Sequence, residues 1–160
     1  MTVHGVSLGH RGLAEADHWI RSLAPPPVLA CTHLVRVPFP HVAISLVGPH
    51  PAADAAPSAP ELLEAAALAA TGGSGRAVIF PGVQRLVGVL TVGEVLALSA
   101  IDRIEVLGGE PPDESTPLDT GDFVRPQWRD GELVLTVTPA AGGRLVPFES
   151  QHPTACCAGH

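Results

Sequence analysis

Apolar residues recur at helical spacing at Leu13, Ala16, Trp19, Ile20 and Leu23, with Arg11, Glu15, His18 and Arg21 between them. That pattern predicts an amphipathic helix over residues 11–23, stopped by Pro25-Pro26-Pro27. Residues 28–37 are β-rich and alternate in part; Pro38-Phe39-Pro40 interrupts them, and His41–Val47 resumes as a second strand. The stretch 48–58 has linker composition and is expected to be a flexible loop. Ser58 and Glu61 have capping-box spacing, and the alanine-leucine run behind them predicts a helix over 59–71, ended by Gly72-Gly73.

Residues 76–80 and 85–90 read as short strands on either side of a Pro81-Gly82 turn. Thr91 and Glu94 repeat the capping-box spacing before a short helix reaching Ser99, and 101–107 reads as a further strand. Strand, helix, strand in that order predicts a parallel pair with a right-handed crossover. An acidic, proline-bearing stretch at 110–122 is expected to be a solvated loop. Residues 123–129 and 132–138 flank Asp130-Gly131, the preferred two-residue hairpin turn, with Leu133, Leu135 and Val137 on the core face. Residues 144–148 form a third candidate strand. The expected architecture is α/β or α+β: one domain over 1–149 with a mixed β-sheet, two to three helices and a C-terminal β-hairpin. A Cys/His tail over 150–160 follows it.

Composition narrows the chemistry. A chain of 160 residues is long enough to bury a sizeable core. All nine basic residues are Arg, and Lys, Tyr and Asn are absent. Without Lys there is no Schiff-base nucleophile and no phosphate-loop lysine, so pyridoxal-phosphate and P-loop chemistry are excluded. The net charge is −7 and the arginines are dispersed, so nucleic-acid binding is not expected. No apolar stretch approaches the roughly 20 residues of a membrane span, and Met1–His10 lacks the pattern of a signal peptide. A cytoplasmic location with reduced thiols is therefore expected. Charged residues make up only 16% of the chain, which fits either a surface covered by a homo-oligomer or protein partner or the codon usage of a GC-rich genome.

The clearest chemical signal is Cys156-Cys157-Ala158-Gly159-His160, paired with a distant Cys31-Thr32-His33. Thiolate and imidazole are strong ligands for zinc and other transition metals. Alternation along a strand puts Cys31 and His33 on one face. A tail folded over them would complete a site drawn from Cys31, His33, Cys156, Cys157 and His160. Zinc suits this mixed set, with copper or iron as the other candidates. No carboxylate stands out as a base for metal-bound water, so no enzyme is assigned. Two readings compete: a non-catalytic homo-oligomeric or protein-interaction module with incidental cysteines, and a thiol/redox or Cu(I)-handling protein using the vicinal pair.

The remaining motifs read as structural. His10 and His18 are too far apart to share an ion, and His4, His41 and His50 read as surface or partly buried residues. None of Ser7, Ser45, Ser99 and Ser150 lies in a nucleophile elbow. Gly72-Gly73-Ser74-Gly75-Arg76 follows a helix instead of preceding one, the wrong order for cradling a phosphate. Asp113, Glu114, Asp119 and Asp122 lack calcium-loop alternation. Asp122, followed by Arg125, Trp128 and Arg129, suggests an ion pair at the hairpin or a surface for a partner.

Overall fold

The computed structural model describes residues 2–55, 59–71 and 74–151. In chain order the elements are β1 (Val3–His10), α1 (Leu13–Arg21), β2 (Leu29–Val35), β3 (His41–Val47), α2 (Pro51–Ala55), α3 (Leu63–Ala69) and β4 (Ser74–Ile79). They continue as β5 (Val89–Thr91), α4 (Val92–Leu98), β6 (Arg103–Val106), β7 (Pro117–Asp119), β8 (Gln127–Arg129), β9 (Glu132–Pro139) and β10 (Leu145–Pro147). The class is α+β with mixed strand pairing, as the sequence pattern predicts. Contacts group the chain into two compact units, Met1–Pro81 with Pro126–Glu132, and Gly82–Arg125 with Leu133–His160. No helix among the described residues is long and apolar enough to cross a membrane.

The first unit is an antiparallel sheet in the order β1-β3-β2-β4-β8. The central strand β3 is buried on both faces, which is why its sequence reads as a nearly continuous apolar run. Val42, Ile44 and Leu46 point to one face and pack with Ala30, Val78 and the α1 residues Ala16 and Ile20. Ala43 points to the other and packs with Ala65 and Ala69 of α3. The alanine-rich face of α3 allows a very close approach to the sheet. A Cβ on Gly5 of β1 would overlap the carbonyl oxygen of Ala66, so only glycine fits there. Strand β1 was not expected from its sequence. Two glycines dilute its alternation, and its pairing with β3 is irregular between Val6 and His10, where Gly9 takes φ +76°.

Several boundaries differ from expectation for local reasons. A 3₁₀ turn at Pro60–Leu62 leads into α3, whose N-cap is Leu62 with no side-chain bond; Ser58 lies outside the described residues. Within the expected loop 48–58, His50 is buried and opens α2. Its Nδ1 accepts from the Ala52 N–H at 3.1 Å, and its Nε2 donates to the Pro25 carbonyl at 2.6 Å.

In the second unit β9 lies between β6, which is parallel to it, and β10, which is antiparallel; β10 runs parallel to β7, and β7 antiparallel to β5. The expected β5–α4–β6 crossover is therefore not formed, because β5 and β6 pair with different strands. At seven residues α4 is too short to carry a chain across a sheet. The Thr91–Glu94 capping box is present, with Glu94 N–H to Thr91 Oγ1 and Thr91 N–H to Glu94 Oε1 both at 3.1 Å. The acidic stretch 110–122 contains β7, anchored by the fully buried Leu118. Asp130 (φ 49°) and Gly131 (φ 81°) both take positive φ, as the type I′ turn between β8 and β9 requires. Leu133, Leu135 and Val137 are buried as expected.

Candidate functional site

Strand alternation puts Cys31 and His33 of β2 on the same face as Ser45 and Ala43 of β3, through the register pairs Cys31↔Ser45 and His33↔Ala43. The Ser45 hydroxyl links the two. It lies 2.8 Å from His33 Nε2 and hydrogen-bonds the Cys31 side chain. A hydroxyl both donates and accepts, so one serine can bond both side chains.

Gly75 of β4 closes over this group with φ +143°. A Cβ there would stand 2.9 Å from both Cys31 Cβ and His33 Cε1, so both side chains converge on a spot that only glycine leaves open. The electrostatics follow from this enclosure. Cys31 is 5% exposed, and burial pushes its thiol up to about 11 against the smaller lowering by the Ser45 bond. Burial also holds His33 below the usual imidazole value. Both groups are thus neutral at physiological pH, and the thiol is a poor nucleophile.

The two predicted strand ligands are therefore neighbours. Cys156, Cys157 and His160 lie outside the described residues. Among the described residues no group of three or more His, Cys, Asp or Glu side chains is placed to hold a metal ion. Cys31 and His33 offer two donors, one thiol and one imidazole.

Two further polar arrangements were not visible in the sequence. His41 Nδ1 donates to the Phe39 carbonyl at 2.7 Å, which leaves Nε2 to accept from the Ser7 hydroxyl at 2.9 Å. Serine, imidazole and an orienting oxygen have the order of an acyl-transfer dyad, but Ser7 and His41 are both buried. Fixing β1 to the start of β3 accounts for the pair. On the opposite face Arg76 of β4 grips Asp17 of α1 through two bonds, Nη1–Oδ1 at 2.7 Å and Nη2–Oδ2 at 3.0 Å. Its Nη1 also donates to Thr32 Oγ1 at 3.1 Å. A groove of about 260 Å³ is lined by Leu13, Leu34, Arg76 and Gln127 together with His33 and Gly75. The available signal was Asp17 itself, a carboxylate inside the stripe Leu13, Ala16, Ile20. A charge there needs a buried partner.

His10 has a buried Nδ1 with no hydrogen-bond partner among the described residues, and its ring lies 6.2 Å from that of Trp19. Burial lowers its pKa, opposed by the charge of Glu15. Arg125, a candidate partner for Asp122, lies over the Phe123 ring at 4.0 Å. No protein-family model, curated protein or solved structure matches the chain.

Proposed function

We propose that this chain is a non-catalytic zinc-binding protein in which the metal is structural. Cys31 and His33 supply two ligands from β2, and the others come from Cys156, Cys157 and His160. The observation that carries this reading is the convergence of the thiol and the imidazole on the space beside Gly75. Structural zinc sites are saturated by protein ligands, and the five candidate donors are enough for that. Binding would expel the Cys31 proton and turn Ser45 away from His33. Affinity should therefore rise with pH, about tenfold per unit for one thiol proton released. A reducing compartment is the natural setting, since the ligand thiols must stay unpaired.

Elemental analysis of the untagged protein tests the reading, beside Cys31→Ala, His33→Gln and the Cys156→Ser/Cys157→Ser pair. About one zinc per chain, lost in each variant, is the expected result. Metal-free protein whose stability ignores chelators would rule it out.

A second reading, an interaction or homo-oligomeric module with incidental cysteines, draws on a different observation. Leu34, next to last in β2, is 75% exposed, and Val28 and Val37, before and after the strand, are exposed as well. Light scattering separates the two readings: an oligomer that persists in chelator and dissociates on Leu34→Asp favours the module. Thiol transfer draws no support from Cys31, whose buried, protonated thiol is unsuited to attack.

A further inference from the structure

The second unit contains a groove of about 540 Å³ between the segment after β7 and the segment after β10. That volume falls in the range of small-ligand sites. Its lining combines two phenyl rings, Phe123 and Phe148, with three carboxylates, Asp119, Asp122 and Glu149, and the apolar Val146; no basic residue lines it. Phe148 is 61% exposed, a ring presented to solvent beside carboxylates.

We propose that this groove binds a guanidinium group carried on an apolar stem. Two internal contacts show the chemistry its lining accepts. The Arg125 guanidinium stacks on Phe123 at 4.0 Å from the ring centroid, and Arg144 Nη1 lies 3.6 Å from Asp119 Oδ2. The chain thus already places guanidinium groups on one ring and one carboxylate of the groove. Asp122 and Phe148 offer the same pair of chemistries to a ligand, a charge partner and a π face. The carboxylates are also spread out: no three acidic, histidine or cysteine side chains among the described residues are close enough to grip one metal ion. A broad organic cation can span such a lining where a compact divalent ion cannot. The alkyl stem would lie against Val146. This site shares no residue with the Cys31 group, and the proposal does not depend on the zinc reading.

The guanidinium could belong to a small free cation or to an arginine of a peptide, and one titration separates these sources. Backbone amide shifts of the full chain are followed with n-propylguanidinium, with a blocked Gly-Arg-Gly peptide, and with the same peptide carrying neutral citrulline. Saturable shifts around Gly121–Phe123 and Phe148–Gln151, with dissociation constants on the order of 1–10 mM, are expected for a single exposed cation site. Binding of the free cation alone assigns a small-molecule site, and binding of the arginine peptide alone assigns a peptide site. Binding of both assigns a guanidinium site open to either. Phe148→Ala should weaken binding roughly two- to five-fold, the contribution of one exposed cation–π contact. Asp122→Asn should weaken it and flatten its salt dependence. No saturable shift with either cation, or equal binding of the citrulline peptide, overturns the proposal.

Discussion

Replacing Asp17 by leucine removes the charge that Arg76 is buried against and puts a larger, apolar side chain in its place. Asp17 and Arg76 are 6% and 7% exposed and meet in a two-point contact, so the pair is held largely out of water. Two charge-assisted bonds at roughly 1.5–3 kcal/mol each bound the loss at about 3–6 kcal/mol. Orphaning one member of a buried ion pair costs about 3–5 kcal/mol in general, in agreement. In a domain whose total stability is roughly 5–15 kcal/mol this is about a fifth of the whole or more. It corresponds to a fall in Tm of about 6–24 °C for a chain of this size. Urea denaturation of Asp17→Leu, Arg76→Met and the double variant forms the assay. Each single variant should lose about 3 kcal/mol or more, and the double should recover a large part of that loss, because two apolar side chains leave no stranded charge. A loss below about 1 kcal/mol in Asp17→Leu, or a double variant as unstable as the sum of the singles, would refute the reasoning.

Gly5→Ala should cost about 3 kcal/mol or more in urea denaturation, because its Cβ overlaps the Ala66 carbonyl and α3 must shift. Thr91→Ala removes the α4 cap and should cost about 1 kcal/mol in the same assay. In a Cys156→Ser/Cys157→Ser background, Cys31 should resist a thiol reagent in the native state and react on unfolding; fast native labelling would contradict its enclosure. The folded chain holds the Cys31 proton up to about 11, against an ordinary value of 9.0. Metal-free protein should therefore lose about 2–3 kcal/mol between those two values as the unfolded thiol ionises first, and Cys31→Ala should abolish the slope. His33 shifts the other way: its folded pKa lies below the ordinary 6.5, so the unfolded chain takes up the proton first. Stability should fall as pH drops through about 6.5, less steeply in His33→Gln.

What could be read in advance follows the range of the forces involved. Helix α1, strand β3, the Thr91–Glu94 box and the Asp130-Gly131 turn were legible because each rests on periodicity or backbone chemistry within a few residues. The shared face of Cys31 and His33 was legible for the same reason, since alternation is a property of one strand. Strand β1 and the short β7 were not, because each is held by pairing partners distant in sequence. Leu118 was the lone apolar cue in a stretch that otherwise reads as solvated.

The sequence by itself determined which side chains could carry chemistry, which reactions lacking lysine and tyrosine rule out, and which residues share a strand face. Only the tertiary structure decided that Ser45 joins Cys31 to His33, that Gly75 packs against both, and that Asp17 meets Arg76 fifty-nine positions away. Burial and electrostatic pairing act through space, and chain connectivity does not specify which residues will be neighbours across it.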